Sequence, residues 1–194
     1  MTTHAAIGTH DEDAAAASSN MLLAVRLAIL SEVMLFGALF AAYFVIRGES
    51  PGWPPGHNER PELVLPAFNT LLLVTSSVTM QLAVRSARAG TRSRILRWLG
   101  LTLLLGGVFI VIQAYEFSTN GFGLSAGTFG STFYILTGFH GAHVLAGAIL
   151  IAIVSNRTRL GLLGEHHTAL EGISYYWHFV DVVWIFLFAT LYVL

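Results

Sequence analysis

Two pairs of ionisable residues lie within long apolar stretches of this chain of 194 residues. His140 and His143 are three residues apart in GFHGAHVLAG. His178 and Asp181 have the same spacing in SYYWHFVDVVWIFLF. Residues three apart on a helix lie on one face, so the members of each pair point in the same direction. With Glu32, from LAILSEVMLFGALF, they form a nitrogen and oxygen set of the kind with which helical bundles bind iron or manganese.

A structural interpretation competes with this metal site. The Glu-x-x-His pattern of di-iron bundles does not occur in the sequence. Small residues around the two histidines, from Gly138 to Ala148, give that helix a smooth face for close packing. A histidine on such a face can hydrogen-bond to a neighbouring helix, and ionisable residues within a membrane normally face protein. We therefore predict polar contacts between helices, and neither a metal nor a cofactor bound by this chain.

The same histidines are also candidate haem ligands. A b-type haem usually takes one axial histidine from each of two facing helices, so His140 or His143 with His178 would be a formal pair. The neighbouring Gly141 and Asp181 favour hydrogen bonding over ligation. The aromatic residues beside His178 are more typical of packing and of the membrane interface than of a quinone platform.

Glu32 has two interpretations of its own. Carboxylates within membranes often belong to a proton or ion path. Alternatively, apolar surroundings favour the neutral acid, which donates a single hydrogen bond and is purely structural. Since no relay partner lies near Glu32 in the sequence, we favour the structural acid.

The composition identifies a membrane protein. Hydrophobic residues make up 55% of the chain and charged residues only 11%, whereas a soluble domain carries about 25% charged residues. The absence of cysteine excludes disulfides, iron–sulfur clusters and thiolate metal sites. A net charge of −1 gives no indication of a nucleic-acid partner.

Five apolar runs are long enough to cross a membrane, which takes about 20 residues. They cover residues 21–46, 63–84, 95–115, 129–154 and 172–194. Only helices and closed barrels satisfy the backbone in lipid, and continuous runs of this length indicate helices. The sequence thus predicts an all-α bundle of five transmembrane helices over residues 21–194. Residues 1–20, which are polar and rich in alanine, are predicted to be a disordered tail.

The arginines predict the orientation of this bundle. If the five helices alternate in direction, eight arginines lie on one side, namely Arg26, Arg85, Arg88, Arg92, Arg94, Arg97, Arg157 and Arg159. Only Arg47 and Arg60 lie on the other side. Because arginine is enriched in cytoplasmic loops, we expect the N-terminus in the cytoplasm and the C-terminus outside.

Further polar residues lie in or beside the apolar runs and are predicted to be buried contacts between helices. These are Asn69 in the second run, Gln113 and Glu116 at the end of the third, and Glu171 at the start of the fifth.

These stretches resemble subunit III of the haem-copper respiratory oxidases. The segments that carry the likeness are SEVMLFGALFAAYF at 31–44, WPP at 53–55, LPAFNTLLLVTSSVT at 65–79, QAYEF at 113–117, GSTFYILTGFHGAHVLAG at 130–147 and YYWHFVDVVWIFLF at 175–188. Their order and spacing are similar to those of the family from about residue 22 to residue 194.

The resemblance implies an accessory subunit without a redox centre of its own. In that family, haem and copper belong to subunits I and II, and subunit III packs on subunit I of an enzyme that reduces dioxygen and pumps protons. The implied partners are subunit I directly, subunit II and, where present, subunit IV in the same complex, with cytochrome c as an indirect partner. Glu32 matches a buried family carboxylate that reacts with carbodiimides. The family also holds phospholipids in a cleft, for which Arg157 and Arg159 are candidate head-group contacts.

The chain departs from many family members in having five helices instead of seven, a form known from bacteria, which implies a location in the bacterial plasma membrane. The two missing N-terminal helices would form one wall of the lipid cleft. The resemblance favours a cytochrome c oxidase of the aa3 or caa3 type. A quinol oxidase subunit, or a homologue associated with nitric oxide reductase, remains an alternative. A transporter or channel built around Glu32 and His178 is a remote alternative, because the sequence has no inverted repeat.

Overall fold

A computed structural model describes residues 3–50, 63–125, 127–162 and 167–194. Within these ranges it contains five long helices and no strand. They are α1 (Thr3–Glu49), α2 (Val64–Arg88), α3 (Arg92–Thr119), α4 (Gly127–Arg159) and α5 (Thr168–Phe188), and the π-helical turn Ala189–Val193 continues α5. All five contain a stretch that is long and apolar enough to cross a membrane. The predicted all-α class and the five membrane helices are therefore confirmed. The WPP motif at 53–55 and Arg60 lie outside the described residues.

The start of α1 differs from the sequence prediction. We expected a disordered tail up to residue 20, but the helix begins at Thr3. The run Ala14–Ala17 explains part of the difference, because alanine has the highest helix propensity and continues a helix that the membrane span requires. Hydropathy marks where the apolar part of a helix begins, and a polar extension of the same helix leaves no trace in it. The division of the chain into a tail of residues 1–20 and a transmembrane domain of residues 21–194 stays a prediction.

Four of the helices form a closed ring. α2 packs against α3, α3 against α4, α4 against α5, and α5 against α2. α1 lies on the outer side of this ring, where it contacts α4 and α5. Only 11% of the membrane-spanning part of α1 is buried, compared with 44% for the last span. The last span, which contains α5, is therefore the most buried of the five, and α1 is the peripheral helix.

Trp177 of α5 fills the centre of the ring, and its side chain is fully buried. Two glycines make room for it, Gly106 of α3 and Gly147 of α4. A Cβ atom at Gly106 would lie 2.8 Å from Trp177 Cη2, and one at Gly147 would lie 2.9 Å from Trp177 Cε3. Small residues thus let α3 and α4 close on the indole, as is common between membrane helices.

The turn between α2 and α3 depends on a glycine in the left-handed region. Gly90 has φ +67°, a conformation that costs glycine little and other residues more. The Gly90 amide donates to the Ala87 carbonyl at 2.9 Å, and the Thr91 amide donates to the Ser86 carbonyl at 3.1 Å. These bonds end α2 and reverse the chain within three residues. As a result, Arg85 at the end of α2 lies close to the first turns of α3.

Candidate functional site: polar contacts between the helices

His178 and Asp181 converge on one hydroxyl group of α2. The Ser77 hydroxyl donates to Asp181 Oδ2, and His178 Nδ1 lies 2.9 Å from Ser77 Oγ. Since the single hydroxyl proton of Ser77 goes to Asp181, the Ser77 oxygen accepts from the Nδ1–H of His178. Asp181 is 4% exposed, and its Oδ1 has no partner among the described residues. The spacing of the pair predicted a shared face, and that face is the contact between α5 and α2.

Glu32 and His143 pair between α1 and α4. Glu32 Oε2 lies 3.0 Å from His143 Nε2, and His143 Nδ1 lies 2.7 Å from the Phe139 carbonyl oxygen. A carbonyl only accepts, so Nδ1 carries a proton. One further proton lies between Nε2 and the carboxyl group, either on Glu32 or on the ring. The edge of the Phe36 ring covers the imidazole, with ring centroids 5.0 Å apart.

This pair lies at the outer side of the ring of helices. The Glu32 side chain is 31% exposed and that of His143 is 15% exposed. Glu32 therefore has the hydrogen-bond partner that the sequence did not reveal, because that partner is 111 residues away. The pair attaches the peripheral helix α1 to α4.

His140 lies apart from both pairs. It is fully buried, and its ring packs against Trp184 at a centroid distance of 4.9 Å and against Phe109 at 5.7 Å. Neither ring nitrogen has a hydrogen-bond partner among the described residues. His140 and His143 thus contact different helices, although they are three residues apart.

The candidate metal ligands consequently fall into three separate places. Among the residues that the structure describes, no group of three or more histidine, cysteine, aspartate or glutamate side chains could hold a metal ion. The structure does not bring together the set His140, His143, His178, Asp181 and Glu32, so their geometry offers no metal centre. The structure does not pair the candidate haem ligands His140 and His178 either, because His178 faces Ser77 and His140 is enclosed by aromatic rings.

A third polar cluster lies near the end of α3 that faces the π-helical turn. The Tyr192 hydroxyl donates to Glu116 Oε1 at 2.8 Å, and Gln113 Nε2 lies 3.4 Å from Glu116 Oε2. Glu116 and Gln113 are each only 4% exposed. Asn69 of α2 makes a long contact of 3.5 Å to the Phe109 carbonyl. These groups connect α2, α3 and the end of α5 within the bundle.

Glu171 joins the ends of two helices at the arginine-rich side. Its Oε1 accepts from Arg88 Nη2 at 2.9 Å and from Arg88 Nε at 3.2 Å. Glu171 lies in the first turn of α5, where the helix dipole favours a negative charge. Arg157 and Arg159 are exposed in the last turn of α4, and no ion pair joins them to the rest of the described chain.

The partners of α5 on α2 were not predicted from the sequence. Trp177 Nε1 donates to Ser76 Oγ at 2.9 Å, and Trp184 Nε1 donates to Thr70 Oγ1 at 2.9 Å. With Ser77, these hydroxyls bind the polar groups of α5. The two tryptophans of α5 are seven residues apart, and their partners Thr70 and Ser76 of α2 are six residues apart. This recurrence of hydroxyl residues on α2 at nearly the interval of the tryptophans was the available signal. Two helices that pack side by side return to the same face after seven residues.

Comparison with known proteins finds similarity over nearly the whole chain. A family model described as "Cytochrome c oxidase subunit III" matches residues 2–194. The "Cytochrome c oxidase subunit 3" of Thermostichus vulcanus is 39% identical over 175 residues, which are 89% of this chain and 87% of that protein. The protein of the same name from Corynebacterium diphtheriae is 43% identical over 184 residues, 89% of this chain and 88% of the relative. That from Synechocystis sp. is 38% identical over 177 residues, 89% and 75% of the two chains.

Proposed function

Because this chain belongs to the cytochrome c oxidase subunit III family, we propose that it is the non-catalytic, structural subunit of a proton-pumping oxidase of the aa3 or caa3 type. It packs directly on subunit I, with subunit II and, where present, subunit IV in the same complex. The haem and copper centres belong to subunits I and II. The complex lies in a bacterial plasma membrane, with the N-terminus of this chain in the cytoplasm.

The observation that carries the non-catalytic role is the use of the polar groups within the membrane. Glu32, His143, His178 and Asp181 each bond to a side chain on another helix, and they do not meet at a common centre. Such contacts fix the register of neighbouring helices. These ionisable groups therefore hold the helices of this chain together. A bundle of this kind is suited to support a partner subunit and not to transfer electrons itself.

Lipid and partner contacts have room on the outside of the bundle. α1 presents large apolar side chains outward, among them Leu27, Leu30 and Met34, which are 57%, 57% and 71% exposed. Apolar outward faces suit either acyl chains or the helices of another subunit. The names of the relatives favour cytochrome c as the electron donor over quinol.

Two measurements test this proposal. Affinity purification of the tagged chain from its native membrane in mild detergent is expected to co-purify haem a and a large polytopic partner, seen in the reduced-minus-oxidised spectrum and the subunit masses. A colourless eluate that holds only this chain in several mild detergents would contradict the assembly.

The second measurement addresses catalysis. An oxidase purified through subunit I from a strain that lacks this chain is expected to keep its haem and copper spectra and its initial rate of oxygen consumption. A missing haem or copper signal in that complex would show that this chain contributes to a redox centre, and would refute the non-catalytic role.

A further inference from the structure

A groove between α3 and α4 opens on the surface of the bundle. Its volume is about 250 Å³. The residues that line it recur every three or four positions on both helices, so the groove runs along the two helix axes. Its lining includes Gln113 and Ala114 of α3 and Gly138, Gly141, Ala142 and Leu145 of α4.

Small residues leave this groove open. A Cβ atom at Gly138 or at Gly141 would meet nothing within 4 Å, and the side chains of Ala114 and Ala142 are exposed. Glycine lowers the stability of a helix relative to alanine, and the described residues give no packing reason for these two glycines. Between membrane helices, small residues at such spacing let a further helix approach closely.

Gln113 brings an unpartnered acceptor to the groove. Its side chain is 4% exposed. Its Nε2 lies 3.4 Å from Glu116 Oε2, while its Oε1 has no partner among the described residues. A buried acceptor that lacks a donor is unfavourable. The acyl chains of lipids have no donor, so lipid in this groove would leave the Gln113 carbonyl group without a hydrogen bond.

The size of the groove suits an aromatic side chain. A cavity of about 150 Å³ holds benzene, and this one is larger. The interior of the bundle already contains a similar arrangement, in which Trp177 lies between Gly106 and Gly147 and donates Nε1–H to Ser76 Oγ. The groove offers the same three components on the outside, namely two glycines, apolar walls and an acceptor oxygen. Tryptophan and tyrosine combine a large apolar ring with a donor.

We propose that this groove is the docking site for a transmembrane helix of another subunit. That helix inserts a tryptophan or tyrosine side chain beside Gly138 and Gly141 and donates a hydrogen bond to Gln113 Oε1. α1 leaves this face free, because it binds α4 through His143, which does not line the groove. The proposal rests on the proposed oxidase assembly only in that the complex must supply the helix.

The test is photo-crosslinking in the native membrane. p-Benzoylphenylalanine replaces Leu145, which lines the groove and is 51% exposed. After illumination, purification through this chain should yield a covalent adduct with another subunit, identified by its mass. Adding Gly141→Leu should abolish the adduct, because the leucine side chain occupies the groove. Adding Gly100→Leu is the matched control and should leave the adduct, since Gly100 is exposed on α3, has open space around it and does not line the groove.

Dissociation of the same subunit measures the strength of the contact. Native mass spectrometry of the purified complex over a dilution series gives the affinity. Loss of an anchoring aromatic contact lowers an affinity about 30-fold, which is the effect expected for Gly141→Leu. Gln113→Leu keeps an apolar side chain in the groove and removes the acceptor, so it should weaken binding about fivefold, as for one hydrogen bond.

Three outcomes would overturn the proposal. An adduct between two copies of this chain would assign the groove to self-association, and an adduct with lipid alone would assign it to the bilayer. Unchanged affinity in Gln113→Leu would show that no donor reaches Gln113. The haem a spectrum of the parent complex is recorded separately, so a missing adduct in a complex that contains haem a refutes this docking site and leaves the oxidase role intact.

Discussion

The indole nitrogen of Trp177 lies 2.9 Å from the Ser76 hydroxyl oxygen, and the ring behind that nitrogen occupies the space left by two glycines. One side chain thus determines how closely α2, α3 and α4 approach α5. The hydrogen bond selects the rotation of α5 relative to α2, and Gly106 and Gly147 set the distances of α3 and α4. Packing and hydrogen bonding drive helix association in lipid, where the hydrophobic effect contributes little.

Gly147→Ala should therefore destabilise the bundle. The new methyl group would lie 2.9 Å from Trp177 Cε3 and 3.2 Å from Tyr176 Cε1. The fully buried Trp177 ring cannot move away without disturbing its own contacts. Overpacking of this kind typically costs about 1–3 kcal/mol. We expect a lower thermal midpoint of the purified complex and a smaller yield of assembled complex per milligram of membrane.

Gly107→Ala is the control for this change. Gly107 lies on α3, next to Gly106, and a Cβ there would meet nothing within 4 Å. Alanine also has the higher helix propensity, so the thermal midpoint should stay the same or rise. If Gly107→Ala and Gly147→Ala lowered the midpoint equally, the effect would come from losing a glycine in general, and the role of Trp177 as the spacer would be wrong.

The sequence predicted the helices well because hydropathy is a local property. The prediction for the second membrane helix, residues 63–84, lies almost entirely within α2, and that for the third, 95–115, lies within α3. The sequence also predicted which residues share one face of a single helix, since the common face of His178 and Asp181 follows from helix geometry alone. The polar start of α1 could not be predicted from the sequence, because it has neither an apolar pattern nor a stop signal.

Contacts between helices could not be predicted in the same way. Glu32 pairs with His143 across 111 residues, and Ser77 binds Asp181 across 104. Each of these residues has several polar candidates on other helices, and one sequence does not reveal which helices are neighbours. The division of His140 and His143 between different partners depends on the closed ring of α2 to α5, which hydropathy does not determine. The similar spacings of Trp177 and Trp184 on α5 and of Ser76 and Thr70 on α2 offered the one usable signal.

Ser77→Ala should weaken the contact between α2 and α5 more than its small size suggests. It removes the donor to Asp181 and the acceptor of His178 at once, leaving two polar groups without a partner at a cost of about 1–3 kcal/mol. Asp181→Asn should also lower the recovery of assembled complex. In both variants, the haem and copper spectrum of the complex that does assemble should match that of the parent.

Thr75→Ala serves as the comparison for Ser77→Ala. Thr75 is exposed, and among the described residues its hydroxyl bonds only to the carbonyl of Leu71 on its own helix, so recovery should hardly change. A direct loss of the haem or copper signal in assembled Asp181→Asn complex would contradict a structural role for the pair.

Glu32→Gln should leave the initial rate of oxygen consumption nearly unchanged. His143 Nδ1 donates to the Phe139 carbonyl, so Nε2 of the neutral ring accepts, and a glutamine amide can donate to it as the neutral acid would. The contact between α1 and α4 is thereby kept. Immediate loss of activity in fully assembled Glu32→Gln enzyme would contradict the structural acid and favour a proton path.

Whereas Glu32→Gln removes only the carboxyl group, Glu32→Leu removes both the carboxyl group and its hydrogen bond to His143. It removes the partner of His143 Nε2, which costs about 0.5–1.5 kcal/mol or more and loosens the peripheral helix α1. We expect Glu32→Leu, and not Glu32→Gln, to shorten the half-life of the purified complex on warming. Faster inactivation over many turnovers in either variant would agree with a supporting role toward subunit I.

The orientation of the bundle can be tested directly, because the chain has no cysteine of its own. Ser93 and Ser118 are exposed at opposite ends of α3, a helix of 28 residues and so about 42 Å long. In intact cells without an outer-membrane barrier, a membrane-impermeant maleimide should label Ser118→Cys and spare Ser93→Cys until the membrane is opened, because arginine-rich ends face the cytoplasm. The reverse pattern would place the N-terminus outside.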